Sequence, residues 1–338
     1  MEDIKAELGD KIIQDLIVRR SLSGEKAVPL QREEHQLRMA YNNLVSSGRT
    51  KEAMSIELDD LYDSMIHVRT NLANRLGFDS YIEMAYRIHG RIDYGKDDII
   101  SFRDQVLDVI TPACAAFEKD HSLNFAVRIG AVGDIVQIAG TIFHEISQES
   151  SDYIDFIYNH ELFDAESRPN KRPLNCCCML AYYKAPFIIG NSNGQGYDVL
   201  NFIHELGHGF AFYTAARSQK LYDFHRSTVS INEVHGKTLE LLVYPYLNLV
   251  VGEQKELFRR NHLYEAFRYI PYRCAIDEFE HEVYAHTTLT KSQRCELWRA
   301  IEQKNMPWQA ENRHASVKRG TTWHSQPHLF NAPFSYID

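Results

Sequence analysis

The sequence predicts a mainly α-helical fold with one small β-sheet. Three observations carry that expectation. Apolar residues recur at steps of three, four or seven among charged ones over much of residues 30–117. Between Cys176 and Ile189 the pattern changes to two short runs rich in Ile, Tyr and Phe. From Asp198 to about residue 304 the helical pattern returns.

Taken in order, Leu30, Leu37, Met39, Ala40 and Leu44, then Ile56, Leu61, Met65, Val68 and Leu72, place helices over 30–77, with Gly77 closing the run. Helices continue over 81–88 and 97–117, the latter kinked or restarted by Pro112. Residues 122–150, punctuated by Gly130, Gly133 and Gly140, have no assignable period. CCCMLAYY and APFIIGN, separated by Lys184–Pro186, read as two paired strands, and SNGQG ends the sheet. A long helix starts near Asp198, whose carboxylate can cap free N–H groups, and runs through Ala215. Another spans roughly 232–251 with a bend at Pro245, and further helices fall at 264–286 and 290–304. No repeat or linker is visible, so a division into 1–150, a helical part of the shell, and 151–338, the catalytic part, is approximate.

Composition narrows the function. With 44% hydrophobic and 25% charged residues in a chain of 338, neither disorder nor a stapled mini-scaffold is expected. A net charge of −9 opposes binding to a phosphate backbone, so nucleic acid is not an expected partner. The start lacks a secretory signal pattern, and the apolar stretch Leu239–Val251 is broken by Glu240, Pro245 and Asn248 and too short to span a bilayer. A cytoplasmic protein without membrane association is the expectation. Six cysteines, three of them consecutive at Cys176, Cys177 and Cys178, form no CxxC pair and read as reduced, ordinary buried thiols.

The chemistry concentrates in His204-Glu205-Leu206-Gly207-His208, an HExxH motif inside a predicted helix. Residues four apart are rotated by only about 40° on a helix, so both imidazoles leave one face and can share a zinc ion. Glu205 projects beside them, placed to take a proton from a zinc-bound water. The motif occurs by chance in roughly one in fifteen to twenty such chains, so the third ligand decides its meaning. Ala211 and Thr214 stand where a metzincin continuation needs Gly and His, which rejects that class. A glutamate from a later helix remains open, and Glu233 and Glu240 lie on one face of the next one. His144-Glu145 and His281-Glu282 do not complete a motif.

On these residues the chain resembles the oligoendopeptidase F branch of the thimet oligopeptidase family of zinc metallopeptidases. The likeness covers roughly 65–338 and rests on ordered stretches: RLGFDSYIEMAYRIHGRIDY (75–94), ELFDAESRPNKRPLNCCCMLAYYKAPFIIGNSNG (161–194), DVLNFIHELGHGF (198–210), EVHGKTLELLVYP (233–245), IPYRCAIDEFEHEVY (270–284) and HLFNAPFSYID (328–338). The resemblance implies one zinc ion held by His204, His208 and Glu233, with Glu205 as general base and Glu240 hydrogen-bonded to a ligating imidazole. It implies a helical, gluzincin-type peptidase fold with a small sheet beside the site, whose strand from Cys176 to Tyr183 pairs with an extended peptide. His328 and Tyr336 match the family's donors to the oxyanion.

Two departures accompany the likeness. Ser335 stands where the family has a tyrosine, and the sequence ends at Asp338, so the fold is expected to be shortened at both ends. The expected function is therefore zinc-dependent endoproteolysis of short unstructured peptides. The alternative is a truncated, catalytically weak or silent homologue that binds zinc and peptides without efficient cleavage.

Overall fold

The computed structural model describes residues 2–119, 135–169, 171, 175–192, 196–311 and 314–337. The first elements are α1 (Glu2–Leu22, kinked at Gly9), α2 (Val28–Val45), α3 (Ser55–Leu76), α4 (Tyr81–Ile88), α5 (Lys96–Gln105), a π turn (Val106–Ile110) and α6 (Thr111–Phe117). Next come α7 (Ile135–Ile146), α8 (Gln148–Asn159), β1 (Phe163–Glu166), β2 (Cys176–Leu180), β3 (Ala185–Ser192), α9 (Gly196–Ser218), α10 (Val229–Leu242) and α11 (Leu247–Val251). The last are α12 (Lys255–Ala285), α13 (Lys291–Asn305), α14 (Ala315–Arg319) and α15 (Pro327–Asn331). The fold is thus mainly helical with a small sheet. The ambiguous 122–150 segment lies outside the described residues as far as 134, and beyond that it is helix.

Two compact units divide the chain, Met1–His121 with Glu265–Ile337, and Ser122–Tyr264 with Asp338. Each unit is built around its own apolar cluster.

In the first unit, Leu58, Tyr62, Met65, Ile66, Leu72 and Ala73 bury one face of α3 against Phe279 and Val283 of α12, Trp298 of α13, Trp323 and Phe330. Full burial of such side chains is worth about 1.5–3 kcal/mol each. Gly77 ends α3 in the left-handed region at φ 85°, while the Phe78 amide reaches back to the Ala73 carbonyl. Ser80 caps α4 by accepting from the Glu83 amide. Pro112 lies in one continuous helical run, just after the winding changes from π to α, so the chain meets the missing N–H with a local change of winding and not with a new helix start.

In the second unit the sheet order is β1-β3-β2, with β2 antiparallel and β1 parallel to β3. The register pairs Cys177 with Ile188 and Met179 with Pro186. The Ile188 amide donates to Leu162 on the β1 side, so Pro186, two residues earlier, turns its ring nitrogen to that same side. β1 pairs only from Ile188 onward, so the proline sits inside β3 rather than between the strands. Helix α9 lies against the sheet and buries Val199, Leu200, Phe202, Ile203 and Leu206 together with Ile188. α10 leaves its helical course at a short 3-10 turn containing Pro245, where the bend was expected.

One buried acid makes the first unit's stability pH-dependent. Glu280 accepts the Phe334 amide with both oxygens, at 2.9 and 3.0 Å, and burial pushes its carboxyl up to about 8. A raised native pKa means that the fold favours the protonated form, so the contribution is complete below the ordinary pKa near 4.5 and is lost as pH rises through about 8. Thermal melts of Glu280→Gln and wild type at constant ionic strength check this. The variant's melting temperature should gain on wild type steadily between pH 5 and 8, and a constant difference would contradict it.

Candidate metal centre

The second unit carries the site. α9 presents His204 and His208 from one face, their rings 4.6 Å apart and nearly perpendicular. α10 presents Glu233 to both: Oε2 lies 3.5 Å from His204 Nε2, and Oε1 lies 3.9 Å from His208 Nε2. One donor atom from each of the three residues falls within 4.8 Å of the others, and this is the one such group of three or more metal-binding side chains among the described residues. Ligands held at about 2.0–2.1 Å around a tetrahedral ion stand about 3.3–3.4 Å apart. The three donors therefore stand somewhat wider than a bound zinc ion would hold them, within reach of side-chain adjustment. Two imidazoles and a carboxylate leave a fourth position for water or substrate.

The closeness of the two helices has a visible cause. A Cβ added to Gly207 would meet the His235 carbonyl oxygen at 2.9 Å and the Gly236 Cα at 3.0 Å. One added to Gly236 would sit 2.5–2.7 Å from three atoms of the His204 ring. Two glycines, one on each helix, thus let α10 approach near enough for Glu233 to reach both imidazoles.

Glu240, two turns along α10, is buried and fixes the tautomer of His204. Its Oε1 accepts from His204 Nδ1 at 2.6 Å, which leaves Nε2 turned toward Glu233. Its Oε2 pairs with His262 Nε2 at 2.7 Å, and Lys237 bonds both oxygens at 2.8 and 3.0 Å. Burial opposes the charge on Glu240, but the bonds to His204, His262 and Lys237 outweigh it and hold the carboxyl far below the usual range. His204 shows the same contest. Burial disfavours its protonation, yet Glu233 and Glu240 push it up to about 9. A group of carboxylates that draws a proton onto an imidazole is one in which a cation can take that proton's place. His208 moves the other way, lowered by burial and then by the charge on His204.

Glu205 points off α9 toward the outer edge of β2, where the Cys177 amide bonds its carboxylate. The strand register explains this: Cys177 pairs with Ile188, whose amide points to β1, so the Cys177 amide points away from the sheet. Burial, followed by the nearby carboxylates, pushes Glu205 up to about 7, against the lowering effects of His204 and that amide. A cavity of about 690 Å³ opens beside His208, walled by Phe212, Phe224, Ile231 and Leu239, with His235 on its rim.

His328 and Tyr336 belong to the first unit. Their rings lie 4.6 Å apart, and the Arg273 guanidinium is 5.1 Å from the Tyr336 ring. Their segment is held by buried groups: Arg69 donates to the carbonyls of Leu329 and Phe330, Arg91 to that of Phe334, and Glu280 accepts the Phe334 amide. Ser335 donates its hydroxyl to the Ala332 carbonyl at 2.6 Å. Sequence reasoning missed His262, Gly207, Gly236 and the Cys177 amide. Gly236 carried a readable signal, since a mid-helix glycine costs about 1 kcal/mol against alanine and so marks a close approach. His262, 22 residues from Glu240, carried none.

Comparison with known proteins bears on the fold and the class. No family model matches the sequence. The chain is 27% identical over 165 residues to Oligopeptidase PepF of Bacillus subtilis (strain 168), a match covering 46% of this chain and about a quarter (24%) of that protein's length. Among solved structures, PZ peptidase A with a bound inhibitor superposes with a TM-score of 0.92 at 25% identity, covering 99% of this chain and 69% of that one. A protein described as an oligoendopeptidase F gives 0.92 at 27% identity, covering 99% and 68%. A third, from Bacillus anthracis str. Ames, gives 0.83 at 24% identity, and it supports the fold alone. The chain therefore has the fold of an oligopeptidase. Within that class its likeness in sequence and structure is to the oligoendopeptidase F branch.

The Glu240 contacts make a direct prediction. Glu240→Ala should weaken zinc binding about 10–100-fold, the usual cost of losing a partner of a ligating imidazole. Gly236→Ala should weaken it too, because the His204 ring must move. Titration against a chromophoric chelator measures both, and wild-type affinity in either variant would contradict the reading.

Proposed function

We propose that the protein is a zinc-dependent metalloendopeptidase that cleaves short unstructured peptides. The observation that carries this reading is the convergence of His204, His208 and Glu233 with a buried carboxylate, Glu205, immediately beside them. The residues fit the ion by donor type, spacing and tautomer. A zinc ion bound there supplies Lewis-acid polarisation of the scissile carbonyl and of the attacking water.

This chain's residues do the rest. Glu205 accepts a proton from water and passes it to the leaving amine, a shuttle suited to a carboxyl that burial holds near 7. Glu240 keeps His204 protonated on Nδ1 and oriented. The outward backbone of β2 is the natural partner for an extended peptide, which would bind through main-chain hydrogen bonds with little side-chain selection. His328 and Tyr336 are the candidate donors to the developing oxyanion, by resemblance to the family. The net charge of −9 argues against nucleic acid as a partner. No helix among the described residues is long and apolar enough to cross a membrane. All six cysteines are free thiols, which supports a cytoplasmic site of action. One observation favours a weaker enzyme, a peptide-binding homologue with little turnover: Ser335, where the family has a tyrosine, spends its hydroxyl on a backbone carbonyl.

A quenched fluorescent peptide assay with the zinc-loaded protein separates these readings. Glu205→Gln should lower kcat by about 10²–10⁴ while zinc content stays at wild-type level. Cleavage by wild type no faster than by Glu205→Gln would favour the silent homologue. Because the base must be ionised, kcat/KM should rise with pH along a single acid limb. Its midpoint should lie at or below about 7, since a bound dication pulls the Glu205 pKa down. A midpoint clearly above 7 would contradict Glu205 as the base.

A further inference from the structure

We propose that Cys176 and Cys178 form a two-thiolate binding site for a soft, thiophilic dication, separate from the His204–His208–Glu233 cluster. The alternation of a strand decides which of the three consecutive thiols act together. Cys177 shares its face with Ile188 and turns toward the apolar cluster under α9. Cys176 and Cys178 leave from the opposite face, and their Sγ atoms stand 3.9 Å apart. β2 is the outer strand of the sheet, and Cys178 is exposed, so the pair can be reached from solvent.

Distances choose between the two things such a pair can do. Alternate residues of a strand have Cα atoms about 6.6–6.8 Å apart, at the far limit of the 4.4–6.8 Å that a disulfide spans. A direct S–S bond would therefore require bending β2 while it is paired along its length with β3. A single bridging cation requires no such bending. With metal–sulfur bonds of about 2.3 Å, a 3.9 Å separation corresponds to an S–metal–S angle of about 116°, close to tetrahedral. Sulfur donors select soft ions, and solvent can complete the coordination on the exposed side. Burial pushes the Cys176 thiol up to about 11, so the thiolate is scarce at neutral pH for oxidants and metals alike, and a bound dication must displace the proton, which makes binding strengthen as pH rises. On binding, each thiol releases its proton to solvent as its sulfur–metal bond forms, so two protons leave per dication and nothing is oxidised. The remaining cysteines offer no equivalent pair: Cys114 and Cys274 are buried, and Cys295 lies on a different helix.

Cadmium is the probe, because its charge-transfer absorption in the ultraviolet appears only when thiolates bind it. Zinc-loaded protein titrated with Cd2+ should develop this band to an end point of one cadmium per chain. Cys178→Ser, at an exposed position, and Cys176→Ser should each abolish the saturable band, with unchanged circular dichroism showing that they fold. Glu233→Gln, which removes a candidate ligand of the other centre, should keep it, so failure of the peptidase reading would not affect this result. A band that persists in Cys178→Ser, or that never saturates in wild type, would overturn the proposal.

Discussion

The candidate site depends on how closely α9 and α10 cross. The two histidines need only one helix, because a spacing of four residues aligns them. The carboxylate must come from elsewhere, and it reaches them only because neither Gly207 nor Gly236 carries a Cβ where the helices touch. A methyl group at either point would stand against backbone or against the His204 ring itself. The spacing of the metal-binding groups is thus set by the absence of two side chains.

Charge then locks what steric fit allows. Glu240 is buried, ionised and saturated, holding His204 with one oxygen and His262 with the other while Lys237 bridges both. A buried carboxylate with fewer partners would take up a proton and let the imidazole turn. Glu205 faces the opposite balance, with one backbone amide and considerable burial, and its pKa rises instead of falling. Two carboxyl groups of one small site are driven apart in acidity by their surroundings. This separation suits one to orient a ligand and the other to carry a proton.

How much of this was legible in the sequence follows from how local each feature is. The HExxH pair, the closing of α3 at Gly77 and the Pro245 bend are properties of a few adjacent residues, and the structure places them where the sequence does. β1 was not read, because its four residues, Phe-Asp-Ala-Glu, gain their strand form from parallel pairing with β3 more than twenty residues later. Pro186 was read as a separator because its tolerance depends on β1 starting too late to need its amide. The three cysteines were read as ordinary buried thiols. The structure instead leaves Cys178 exposed and Cys176 half-buried, because β2 is an outer strand and only alternate residues face α9. The role of His262 is a matter of tertiary structure alone.

The central claim is that a zinc ion in this chain is held by two imidazoles and one carboxylate on crossing helices. X-ray absorption spectroscopy of the protein loaded with a single equivalent of zinc tests it most directly. The account predicts a shell of nitrogen and oxygen only, at about 2.0–2.1 Å, with the outer-shell scattering of two imidazoles. Sulfur at about 2.3 Å in that first equivalent, or a shell without imidazole, would contradict it.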